Sequence, residues 1–257
     1  MIQIKKIVFL FGAFFFLLTS FGQEEGMALV KGGTYTPLYG GDSISITIPS
    51  FYMDIYPVTN AEYIEFLKEN PKWRKSKIIR LFADEHYLSH FQDDLTLKPN
   101  EGMRDAVTSV SWHAAKEYCK CQGKRLPTMD EWELAAMADE TSPDARDKKE
   151  FNQYLLSWYE KSKFKGKEIG KTYKNYWGIY DLHGLVWEWT ADFNSVLLSQ
   201  DTRNSAEGNN NLYCGGAAYG ANDLKNYAAF MRYAFRSSVR GDYSIKNLGF
   251  RCAKSIK

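Results

Sequence analysis

The sequence is short of the residues that build most metal and redox centres: it has four histidines and four cysteines, and no cysteine precedes Cys119. It contains no Gly-rich phosphate loop, no G-x-S-x-G elbow and no C-x-x-C pair. Those gaps remove three ways of building a site: phosphate held on a P-loop, a serine nucleophile on a strand-helix turn, and a thioredoxin-type dithiol. A surplus of positive charge is also missing, with 33 basic residues against 31 acidic ones and no basic stripe. Phosphate backbones are gripped by clustered Lys and Arg, so nucleic acid is excluded as a partner.

Long apolar runs are absent with one exception. Lys5 and Lys6 precede an unbroken apolar stretch from Ile7 to Leu18, and Ser20-Phe21-Gly22 follows with small residues at the positions a signal peptidase reads. This pattern predicts a signal peptide over residues 1–22 and a mature domain over 23–257. The run is shorter than the roughly 20 residues that cross a bilayer, so no transmembrane anchor is expected in the mature chain. The lack of an early cysteine excludes a lipidated N-terminal cysteine. The mature protein is therefore expected to be soluble, in the periplasm or outside the cell. Without Lys5 and Lys6 its acidic and basic residues balance.

An oxidising compartment favours disulfides. Cys119 and Cys121 are one residue apart on an expected helix, so their side chains diverge by about 200° and do not bond each other. Their partners, if any, are Cys214 and Cys252, and spacing does not choose between them.

Abundant aromatics, 17 Tyr and 7 Trp among them, call for a core that satisfies phenol and indole groups by hydrogen bonds. Gly32-Gly33 and Gly40-Gly41 punctuate short strands, and Ser43–Ile48 alternates as a half-buried strand does. Thr59 with Glu62 forms a capping box for a helix that ends near Asn70-Pro71. Ser111 caps a second helix running to Gly123, and Thr128 with Glu131 opens a third that carries Trp132. The segment 73–104 reads as packed loop. Charged residues from Asp139 to Lys171 suggest a solvent-facing insertion. From Asn175 onward periodic runs are few. Arg125, in the turn between two helices, suits a structural ion pair. Trp187 and Trp189 alternate around Glu188 and read as core.

In chain order, MALVKGG from Met27, FYMDIYPVTNAEY from Phe51, VSWHAAKEYCKCQGKRLPTMDEWELAA from Val110, YDLHGLVWEW from Tyr180 and NLGFRCA from Asn247 resemble the sulfatase-modifying factor family, which includes the formylglycine-generating enzymes. The resemblance spans the mature chain. It implies an α+β domain of low regular secondary-structure content, related to the C-type lectin fold. It also implies a Cys119–Cys252 disulfide, with Cys121–Cys214 as a possible second. Further, it implies a structural calcium site on Asp181, Gly184, Val186 and Glu188; hard oxygen ligands from one turn suit that cation.

The family's oxidases bind copper(I) through two cysteines between the late Gly-Gly turn and the GFR block. Soft thiolates select that ion. The interval from Gly216 to Arg251 holds no cysteine, and the two positions fall on Ala228 and near Asp223. Copper and cysteine-to-formylglycine oxidation are therefore not expected. An accessory or binding role, with an exported protein or peptide as partner, is the leading expectation. Two alternatives stand beside it. One is a metal-dependent oxidase of the same family acting on another substrate, with iron or copper on His86, His90 or Cys214. The other is a maturation factor for an exported respiratory metalloenzyme of denitrification, suggested by CGGAAYG and YAAFMRYAFRS.

Overall fold

A computed structural model describes residues 24–37, 45–160, 167–193 and 224–256. The proposed signal segment, Asp223 and Cys214 lie outside them. Among the described residues no helix is long and apolar enough to cross a membrane.

Among the described residues, seven short strands and five α-helices are joined by long packed connections. Strands β1 (Met27–Val30), β4 (Phe51–Asp54) and β7 (Ala253–Ser255) form an antiparallel sheet in the order β1-β4-β7. Strands from near the start and the end of the described residues thus flank β4. β2 (Gly33–Tyr35) pairs with β3 (Ile46–Ile48), and β5 (Trp187–Glu188) lies parallel to β6 (Leu248–Gly249). β5 and β6 contribute only two residues each, yet they bring the YDLHGLVWEW and NLGFRCA blocks together.

Helix termini follow local chemistry. In α1 (Asn60–Glu69) Thr59 and Glu62 make the reciprocal capping box, and α3 (Met129–Ala136) repeats it with Thr128 and Glu131. In α2 (Trp112–Cys121) Ser111 accepts from the amide of Ala114 at 3.3 Å. Such caps satisfy amides that a helix leaves unpaired. Gly123, with φ of +66°, follows α2 in the left-handed conformation that glycine adopts without strain. Arg125 forms a two-pronged pair with Glu131, both contacts 2.6 Å, and its backbone bridges to Ala253. The corner between α2 and α3 is thereby tied to β7.

The core is aromatic, and several of its polar tips are matched while the buried Trp73 Nε1 is not. Tyr63 and Tyr87 share a hydrogen bond of 2.7 Å, Tyr87 donates to the carbonyl of Trp73, and Trp189 Nε1 donates to that of Val110 at 2.8 Å. Cys119 and Cys252 form the disulfide, with Cα atoms 5.6 Å apart, inside the same cluster as Tyr63, Phe66 and Tyr118. Cys121 is an exposed free thiol, and its possible partner Cys214 is not among the described residues.

Two stretches depart from the expected loops. Residues 139–171 are not a solvated insertion throughout: α4 (Lys149–Glu160) buries Phe151 and Leu155 against Ala145 and Ala228. The apolar positions recur four residues apart, but flanking lysines and acids mask them. Nor is the last third free of regular structure, because α5 (Leu224–Ser238) packs on α4. Its inward stripe includes Arg232 and Arg236, which are 6% and 4% exposed. A hydrophobic-periodicity reading assigns arginines to solvent, and that hides the helix. The segment 73–104 is packed loop, with Ala83, Leu88 and Phe91 wholly buried.

Candidate functional site

α3 positions two adjacent side chains in different directions. Residues next to each other on a helix diverge by about 100°. Trp132 therefore reaches β5, donating from Nε1 to Glu188 Oε2 at 2.7 Å, while Glu133 faces α5. Glu188 in turn meets Arg251, whose Nε lies 3.0 and 2.9 Å from the two carboxylate oxygens and whose second nitrogen lies 2.8 Å from Oε1. Both side chains are without solvent contact. Arg251 spends its remaining donors on the carbonyls of Asp54, Ile55 and Tyr180. A guanidinium and a carboxylate removed from water need this complete a set of partners.

Glu133 is the anchor of a second cluster. Arg232 contacts both of its oxygens, at 2.9 Å from Nε and 2.7 Å from the terminal nitrogen, and Arg236 adds a contact of 2.7 Å. Burial would raise the Glu133 pKa, but the two guanidiniums outweigh it and hold the carboxyl down at about 2. Arg236 also lies 4.6 Å from the centroid of the Trp132 ring. One helix, α3, thus links both ion clusters.

Above these clusters lies a cleft of about 210 Å³ between α4, α5 and the 182–188 turn. Trp158 and Leu155 form one wall, Met231 and Arg236 another, and Trp187 closes the end toward Asn247. Trp187 is only part-buried and stacks on Phe235 with centroids 4.3 Å apart. It belongs to this wall, whereas Trp189 is core as expected. Gly184 has φ of +91°, and a Cβ there would collide with the ring of Trp158. Glycine is required on both counts. His183 lines the cleft beneath Trp132 and Phe151. Its Nε2 lies 2.8 Å from the carbonyl of Ala136, which can only accept, so Nε2 carries the proton. Burial, aided by the charge of Arg232, lowers its pKa to about 3.

The two carboxylates among the proposed calcium ligands are each taken up by protein partners. Asp181 accepts from the amide and hydroxyl of Thr172, at 3.1 and 2.9 Å, and from the amide of Gly170. Glu188 is enclosed by Arg251 and Trp132. A dication on Glu188 would sit against a guanidinium, so the donor set does not fit one. Gly184 and Val186 line the cleft. Among the described residues no group of three or more His, Cys, Asp or Glu side chains is gathered for a metal.

His86 and His90 are not brought together on a helical face, because residues 85–90 form turns. His86 is exposed, whereas His90 is buried with Nε2 2.9 Å from Asn60 Oδ1. The family's thiolate position on Ala228 is a buried methyl on α5, 1% exposed. The described cysteines are the Cys119–Cys252 pair and Cys121, so no two thiolates are available among them for copper(I). Neither ion cluster was legible from spacing, since Glu188 and Arg251 are 63 residues apart and Glu133 and Arg232 are 99 apart. The signal for the first was only the juxtaposition of the WEW and GFR blocks.

These features define an α+β domain of small sheets, held by buried ion pairs and a long-range disulfide around a lateral cleft. The chain belongs to the sulfatase-modifying factor enzyme 1-like domain family, whose profile matches residues 18–256. It is 27% identical to the formylglycine-generating enzyme of Mus musculus, over 81% of this chain and 67% of that protein. It is 28% identical to the inactive C-alpha-formylglycine-generating enzyme 2 of Bos taurus, over 90% of this chain and 89% of that one. The solved structure of PvdO from Pseudomonas aeruginosa shares the fold, with a TM-score of 0.52 and 19% identity over 90% of this chain and 94% of that one.

Proposed function

We propose that this formylglycine-generating-enzyme-like chain is an exported accessory or binding protein that takes a segment of another exported protein or peptide in the α4–α5 cleft, and that it does not oxidise cysteine to formylglycine. The observation that carries the reading is Ala228, a buried methyl packed with Ala145, Phe151 and Leu155 where the resemblance puts a copper-binding thiolate. A methyl group cannot ligate copper(I), and the interval from Gly216 to Arg251 supplies no other sulfur except a methionine thioether. The similarity to a relative named as inactive points the same way.

The cleft supports the binding half of the proposal. Three indoles, from Trp132, Trp158 and Trp187, present large rigid apolar faces, and the ion pairs below them hold α3, α5 and β5 in register. Rigid aromatic walls bind with little loss of side-chain entropy. Purified protein, loaded with copper and incubated with a sulfatase-type cysteine peptide, is expected to leave the peptide mass unchanged. An aldehyde product in the mass spectrum would overturn the reading.

A further inference from the structure

A second cleft, of about 510 Å³, lies between α2 and the segment 72–82. It shares no lining residue with the α4–α5 cleft. Its floor is a chain of rings: Trp73 and Phe82 have centroids 5.8 Å apart, Phe82 and His113 5.4 Å, and His113 and Trp112 5.3 Å. Its rim is basic. Lys116 and Lys120 stand one turn apart on α2, and Lys72 and Lys77 face them from the other side. Glu117 is the sole acid in the lining, and it lies 3.6 Å from Lys72 and 3.9 Å from Lys120. One carboxylate among four ammonium groups leaves a local positive excess.

Volume, ring floor and rim charge select one chemistry. The volume falls in the range of small-molecule sites. The rings are inclined to one another by 43°, 56° and 82°, so a second flat ring would meet them by a mixture of face and edge contacts. Lys116 already places its ammonium 4.6 Å from the Trp112 centroid, where the face of the indole holds it. An anion beside such a ring would meet an ammonium group that is already positioned. Burial, the largest influence on His113, lowers its pKa, which disfavours a positive charge on the floor.

We propose that this cleft is a binding site for a planar aromatic anion, its ring on the Trp112–His113–Phe82 floor and its anionic group between Lys116, Lys120 and Lys72.

Calorimetric titration of the mature protein with 2-naphthoate tests it, beside 2-naphthalenemethanol as a neutral ring and inorganic phosphate as an anion without one. Saturable 2-naphthoate binding is expected, about tenfold tighter than the neutral alcohol, the worth of one charge-assisted hydrogen bond. The K116Q/K120Q variant should weaken 2-naphthoate about tenfold and leave the alcohol unchanged. Both lysines are exposed, so its thermal midpoint should match the parent's. W158A, in the other cleft, should leave 2-naphthoate binding unaltered. Equal affinity for acid and alcohol, displacement by equimolar phosphate, unchanged binding in K116Q/K120Q, loss in W158A, or no saturation at millimolar 2-naphthoate would each overturn the proposal.

Discussion

Arg251 and Glu188 form an ion pair of 2.8 Å that is wholly sealed from solvent, and through it β6–β7, β5 and the end of β4 are held to one another. Removing one partner strands a charge in the interior, at a cost of about 3–5 kcal/mol. R251M or E188Q is therefore expected to lower the urea midpoint sharply. The double replacement R251M/E188L should recover much of the loss, because it leaves no unpaired charge. Additive losses in the double variant would show that the pair does not act as a unit.

The Cys119–Cys252 bond closes a loop with a sequence separation of 133. The chain-entropy account assigns such a closure about 5 kcal/mol, acting through the unfolded state. C119A/C252A should reproduce the drop in midpoint seen when the parent is reduced. Added reductant should then change the variant no further. Equal midpoints for reduced and oxidised parent would contradict this.

Two buried imidazoles make stability depend on acid. Burial, with Lys167, Lys75 and Lys98 adding to it, lowers His90 to about 3, and His183 is likewise held at about 3. An unfolded histidine titrates near 6.5. Between those values the unfolded chain binds more protons than the folded one, so stability falls as pH drops from about 6.5 toward 3. Glu133, lowered to about 2, adds a loss below about 4.5. Each histidine is expected to account for roughly 2 kcal/mol between pH 7 and pH 5. Denaturant titrations across that range check the slope, and H183Q should flatten it.

Metal removal is expected to leave the fold intact. The carboxylates of Asp181 and Glu188 are already committed to Thr172, Gly170, Arg251 and Trp132. EDTA or added calcium should therefore shift the melting temperature by less than about 1 °C, since neither carboxylate is free to gain a cation on folding. One calcium per chain by elemental analysis, with a raised melting temperature, would show that the turn rearranges around a cation.

Gly184 couples backbone geometry to the α4–α5 cleft. G184A would combine left-handed strain with a collision against Trp158, and a loss of about 2 kcal/mol or more is expected. The companion change W158A should relieve the collision but not the strain. Thermal melts of the single and double variants separate the two contributions.

Residues that act over one helical turn were legible in advance. Thr59 with Glu62, Ser111, Thr128 with Glu131, and Gly123 all do their work within four positions of themselves, and they mark α1, α2 and α3. The family blocks further pointed to the α+β fold and the Cys119–Cys252 bond. By contrast, nothing local marked Glu188 as the counter-ion of Arg251. Nor did any local pattern mark Arg232 and Arg236 as part of the buried face of α5.

The linear chain by itself determined the caps, the turns, the missing thiolates and the family. These depend on local hydrogen bonding and on which atoms are present, neither of which folding can alter. Only tertiary structure decided which carboxylate met which guanidinium, and which indoles became walls of a cleft. A charge is tolerated in the interior only beside a partner that may stand a hundred residues away, and no local pattern encodes that partner's position.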